Sequence, residues 1–257
     1  ERLAKDYFRR NESTWHGAKD PVITAMDLDV ALDPAAGTFV TKGSYTLANP
    51  WDQPMDRFAL TPGEHFEDLV FTFQGQEYKP ADREDAQRHN WGQLPCENSA
   101  GLWVFRPSKP LAKGETATVQ FSYHGQYPKG VGRNTRGADE FILPLGVVLN
   151  SFSTSFLPRV GYLEGVGLEP EISPEPLRPE PEDWKKLTKA GFGTGAASNV
   201  VARVTVPEAY RANCPGVLVD EQVQDGKRIM TWKTDQPVRF FNVVAGQWEE
   251  TKGQHTS

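Results

Sequence analysis

The sequence predicts a mainly β protein: twisted antiparallel sheets packed as a sandwich or saddle, with a short N-terminal helix and a long Pro/Glu-rich loop. Three observations predict it. Apolar and polar residues alternate through most of the chain, the pattern of strands with one buried face. Gly, Pro, Asn and Asp punctuate that alternation at short intervals, as turns require. Helical periodicity is scarce. A hydrophobic fraction of 38% over 257 residues is enough for a continuous core. The chain divides into a helical lead-in at 1–20, one β-domain at 21–250 and a tail at 251–257.

Each element follows from its own pattern. Leu3, Tyr7 and Phe8 fall near one face of 1–16, which reads as a short amphipathic helix. In "PVITAMDLDVALDP" (21–34), Met26, Leu28, Val30 and Leu32 point one way and Asp27 and Asp29 the other. After the "DPAAG" turn, "TFVTKGSYTLAN" places Phe39, Thr41, Tyr45 and Leu47 on one face, which predicts an antiparallel hairpin. "RFALTPG", "DLVFTFQGQEY", "GLWVFRP" and "TATVQFSYHGQY" are further strands, and "NVVARVTVP" and "GKRIMTWKT" close the series. "MTWKTDQPVRFFNVVAGQWEE" (230–250) reads as a final strand pair, its aromatic and β-branched residues favouring strands. The interval 161–195 is dense in Pro, Glu and Gly, and Pro removes ladder donors, so no central strand runs there. It is either a solvated loop, with a short helix at "PEDWKKLTKAG", or a loop covering a site.

Charge and motifs narrow the function. A net charge of −6 argues against a nucleic-acid surface. The longest apolar stretch, "FILPLGVVL" (141–149), is too short to span a bilayer. None of the five histidines, His16, His65, His89, His124 and His255, sits in H-E-x-x-H. "EHFED" (64–68) sets acids around His65 in what reads as a solvated loop. No G-x-S-x-G elbow or P-loop occurs, and "GFGTGA" (191–196) reads as a flexible turn. A pair of catalytic carboxylates remote in sequence stays open. Cys96 and Cys214 permit one disulfide or two free buried thiols. Trp51, Trp91 and Trp103 keep a second class open, a stand-alone β-sandwich binding module for carbohydrate or protein, if their rings are exposed rather than in the core. The charged opening "ERLAKDYFRR", without an initiating Met, reads as the start of a piece of a larger protein.

The order of segments resembles the N-terminal β-domain of aminopeptidase N-like (gluzincin) zinc metallopeptidases. Gly43, Leu47 and Asn49 match that domain's x-G-x-x-x-L-x-N strand. Val206-Pro207, Gly226, Trp232, Asp235, Pro237, Gly246, Trp248 and Glu249 match its closing stretch. Asn150, Ser155, Pro158, Gly161 and Tyr162 are similar to a stretch of members fused to an ABC transporter permease. The resemblance implies a non-catalytic domain that walls a peptide cleft and docks on its own C-terminal catalytic domain, with membrane segments beyond. It implies an extracytoplasmic (periplasmic) setting and no nucleic-acid partner. No cofactor belongs to this chain; zinc is expected in the catalytic domain that would follow. Asn150, Ser151, Phe152 and Ser153 fall where the family contacts the substrate's amino terminus, although the usual Gln or Glu is missing. Phe156, Leu157 and Tyr162 are expected in an exposed patch facing the catalytic domain.

Overall fold

The computed structural model of the protein describes Trp15 and residues 18–63, 66–79, 82, 102–127, 140–151, 156–161 and 196–248. Their strands are β1 (Val22–Asp33), β2 (Thr38–Ala48), β3 (Phe58–Thr61), β4 (Phe66–Phe73), β5 (Gln76–Tyr78), β6 (Trp103–Phe105), β7 (Thr116–Gln126), β8 (Phe141–Leu143), β9 (Gly146–Asn150), β10 (Arg159–Val160), β11 (Asn199–Pro207), β12 (Arg211–Asn213), β13 (Val217–Gln224), β14 (Lys227–Lys233) and β15 (Asn242–Gly246). The protein is mainly β, as the alternation predicts. Apart from Trp15, which is helical and buried, the N-terminal helix falls outside the described residues, as does all but Gly161 of the 161–195 loop.

Three sheets form. The largest runs β13-β14-β11-β1-β2-β7-β4-β5; the others are β10-β3-β6 and β12-β15-β9-β8. Leu28, Val30 and Leu32 of β1 are buried while Asp27, Asp29 and Asp33 are exposed. On β2, Phe39, Thr41, Tyr45 and Leu47 are buried, and the Val30↔Thr41 register puts both apolar sets on one side. One pairing departs from the antiparallel expectation. β1 and β11 run parallel, from Ala25↔Asn199 to Ala31↔Thr205. A parallel pair needs a long crossover, and the chain between these strands supplies one, building the three-stranded sheet and the β8–β9 half of the four-stranded one on the way.

The closing segment also departs from expectation. β14 pairs with β11 and β13 in the large sheet, whereas β15 pairs with β12 and β9 in the four-stranded one. They are not partners of each other. "QPVRFF" carries the chain between sheets, and Pro237 within it cannot donate to a ladder. The stretch "FILPLGVVL" becomes the β8–β9 hairpin, with Pro144 and Leu145 at its two-residue turn.

One core joins the three sheets. Phe71 of the large sheet meets Trp103 and Phe105 of the three-stranded sheet edge-to-face, at centroid separations of 5.0 and 5.4 Å. Phe58 and Phe73 do the same at 5.4 Å. Val147, Leu149, Phe241 and Val243 bring the four-stranded sheet into the same cluster. Such edge-to-face pairs add roughly 0.5–1.5 kcal/mol each beyond their buried area.

The residues that carry the family resemblance are architectural. A Cβ on Gly43 would stand 2.6 Å from the Asp27 carbonyl oxygen and 2.9 Å from Leu28 Cδ2, so only glycine lets β1 and β2 close at that point. Leu47, further along β2, is fully buried. Asn49 is buried too. Its amide donates to the Gln53 and Leu111 carbonyls at 2.9 and 2.8 Å and its oxygen accepts from Trp51 N at 2.9 Å. Those bonds tie the 49–55 loop to the segment that leads into β7. Asp225 and Gly226, both at positive φ (51° and 71°), form the turn of the β13–β14 hairpin.

Candidate functional site

The Asn150–Tyr162 stretch is anchored at both ends by polar groups of the core. At its start, β9 and β15 set Asn150 opposite Asn242. Alternation along β9 buries Val147 and Leu149 and leaves Asn150 half-buried on the other face. Asn150 N donates to Glu140 Oε1 at 2.9 Å. Ser151 N donates to the Phe241 carbonyl at 2.9 Å, and Ser151 Oγ accepts from Phe241 N at 2.9 Å. The Ser151 hydroxyl oxygen therefore serves the backbone of its own sheet. Of the four residues expected near a substrate, the structure brings Asn150 and Ser151 together at the end of the four-stranded sheet. Phe152 and Ser153 lie outside the described residues.

At its other end the stretch is strapped across the core. Tyr123 Oη donates to the Phe156 carbonyl and Tyr45 Oη to the Pro158 carbonyl at 3.0 Å. β10 then pairs Arg159 and Val160 with Thr61 and Leu60. Gly161 N donates to the Ala59 carbonyl at 2.8 Å, and Thr61 Oγ1 donates to the Gly161 carbonyl at 2.6 Å. Burial pushes the Tyr45 and Tyr123 hydroxyls above their ordinary range, so both stay protonated as donors.

This strap corrects the expected docking patch. Phe156 and Leu157 are buried in the main core, with Phe156 packed 6.4 Å from Phe241 between ring centroids. They offer no exposed surface, because the two tyrosine hydroxyls draw their backbone inward. Tyr162 lies outside the described residues.

Gly161, at φ +86°, has no room for a side chain: a Cβ there would stand 2.3 Å from Asp20 Oδ2. Burial pushes the Asp20 carboxyl up to about 6. This perturbed acid was not legible in sequence, where Asp20 is one acid among 34. Nearby, Trp51 Nε1 donates to the Asp20 carbonyl at 2.8 Å and Lys19 Nζ lies 5.6 Å from the Trp51 ring centroid. Trp51 is exposed but Trp103 is a core residue, and Trp91 lies outside the described residues. The sugar-stacking alternative thus loses one of its three rings.

The acids of "EHFED" have a partner other than His65, which lies outside the described residues. His124 Nε2 is 3.2 Å from Glu67 Oε2 and Nδ1 is 3.7 Å from Asp68 Oδ2. Asp68, at φ 50°, sits where the register of β4 slips against β7. One carboxylate lies at each ring nitrogen, so the two acids do not converge on one point. Among the described residues no group of three His, Cys, Asp or Glu side chains could hold a metal ion. Cys214 is a buried free thiol, pushed up by burial and so held neutral; Cys96 lies outside the described residues. No described helix is long and apolar enough to cross a membrane.

The sequence matches no protein-family model and no curated protein. Solved structures do resemble the fold. A mutant M1 zinc metallopeptidase from Deinococcus radiodurans, bound to a Tyr-Ser-Ala substrate, superposes with a TM-score of 0.54 at 16% identity, over 89% of this chain and 43% of that one. A two-domain M1 zinc metallopeptidase mutant bound to L-arginine gives 0.54 at 15% identity, over 88% and 42%. A third, bound to L-tryptophan, gives 0.52 at 14%, over 89% and 43%. At these identities the likeness is one of fold, to the N-terminal β-domain region of such enzymes. This chain spans less than half the length of the chains it resembles.

Proposed function

We propose that this chain is the non-catalytic β-domain of a larger, membrane-associated, aminopeptidase-like zinc metallopeptidase. It walls one side of a peptide cleft and docks on a catalytic domain that carries the zinc. The observation that carries this reading is the fold match, covering 89% of this chain but 43% of a two-domain M1 zinc metallopeptidase. The motif residues support it independently, since Gly43, Asn49, Pro158 and Gly161 each meet a demand of this fold.

The wall is the end of the four-stranded sheet that presents Asn150. Asn150 is half-buried and lies opposite Asn242 in the strand register, and an Asn side chain can both donate to and accept from an extended peptide. Ser151 is a positioning residue, fixing Asn150 through the Phe241 backbone. The permease-fused subgroup, and with it an extracytoplasmic setting, rests on Asn150, Ser155, Pro158, Gly161 and Tyr162. The coding sequence beyond Ser257 tests the reading. An H-E-x-x-H with a downstream Glu, followed by apolar spans, is the expected result. A continuation lacking the zinc ligands would remove the peptidase role.

A further inference from the structure

The burial of Phe156 and Leu157 leaves open which surface meets the neighbouring domain. A different cluster of exposed apolar groups stands at one end of the four-stranded sheet. Leu145, at the tip of the β8–β9 hairpin, is 91% exposed, and Trp248, two residues past β15, is 48% exposed. The register puts them at the same end: Leu143 pairs with Gly146 across the tip, and Ala245 pairs with Val147 one step away. Trp248 is held in place there. Its indole packs over Gly246, where a Cβ would come within 2.2 Å of Nε1. Tyr210 Oη donates to the Pro144 carbonyl, fixing the tip itself. Beside them, Arg211 and Arg228 share Glu221 in a half-buried cluster. A leucine almost wholly in water at a two-residue turn is an unfavourable choice for an isolated domain, since turns favour Gly, Asn and Asp.

We infer that the Leu145–Trp248 end of the four-stranded sheet is the surface that docks on the catalytic domain. This rests on the reading above. Two features name the occupant. The resembled chains are more than twice the length of the matched part. The surface pairs apolar groups with a neighbouring charged cluster, the composition of a core and rim at a domain interface. The occupant is therefore the following segment of the same polypeptide, offering an apolar pocket to Leu145 and Trp248.

Hydroxyl-radical footprinting of the full-length polypeptide tests this, with Trp51 as an internal reference because it is 41% exposed. Trp248 should label several-fold more slowly than Trp51, and Leu145 should be protected with it. Leu145→Asp should restore Trp248 labelling towards the Trp51 rate. Equal labelling of Trp248 and Trp51 alongside a folded, zinc-loaded second domain would overturn the docking surface and leave the proposed function standing. Absence of any second domain would overturn both.

Discussion

Asp20 is the described carboxyl that burial perturbs most clearly, and its sign is informative. A carboxyl that binds its proton more tightly when folded favours the folded state below its unfolded pKa. That advantage is lost as pH rises through the folded value. For Asp20 the window runs from 3.8 to about 6. A shift of that size corresponds to roughly 2–3 kcal/mol. Asp20→Asn should therefore leave stability unchanged near pH 3.5 and raise it by up to about 2–3 kcal/mol at pH 7.5, read from urea melts at both pH values. Phe156 gives the opposite kind of test. As a fully buried core ring, its replacement by Ala should cost roughly 3–5 kcal/mol in a denaturant melt of the chain. A purely interdomain residue would cost little there. The sequence marked Phe156 as important but not for which neighbour. An apolar residue signals burial, whereas its partner depends on how Tyr45 and Tyr123, over thirty residues away in sequence, capture the Phe156 and Pro158 carbonyls.

Strands were the most legible elements, because alternation and register reinforce each other. β1, β2, β7, β11 and β14 fall where the period-two pattern puts them. The β8–β9 hairpin was not legible as such. Its apolar run "FILPLGVVL" lacks alternation, and its Pro144-Leu145 turn lacks the usual turn residues. β13 was obscured for the reverse reason: it is an edge strand, largely exposed on both faces. Gly43 carries a sharp prediction at this scale. A methyl 2.6 Å from the Asp27 carbonyl must push β1 and β2 apart, so Gly43→Ala should cost at least about 1–3 kcal/mol and lower the melting temperature. Glu221 links elements across sheets, joining Arg211 of β12 at 2.8 Å to Arg228 of β14. Glu221→Gln removes the carboxylate that two half-buried guanidinium groups share. The expected cost is about 1–3 kcal/mol, with loss of protection from hydrogen exchange in β12.

For the whole molecule, local pattern set the class and long-range pairing set the topology. The mainly β fold was predictable because alternation is a property of neighbours in sequence. The parallel β1–β11 pair and the separation of β14 from β15 were not. Both depend on which sheet edge the chain returns to after a long excursion, which no local signal encodes. The candidate site was legible only as a stretch of chain. Its residues resolve into an anchored start at Asn150 and Ser151 and a buried strap at 156–161. Among the described residues no group of three His, Cys, Asp or Glu side chains could hold a metal ion. If this β-domain serves a zinc peptidase, aminopeptidase activity of the full-length polypeptide on aminoacyl amides, with and without chelator, is the first quantity to measure. Turnover that chelation abolishes and zinc restores is expected, together with a raised KM for Asn150→Ala. Chelator-insensitive turnover, or no turnover by a zinc-loaded full-length protein, would contradict the peptidase role.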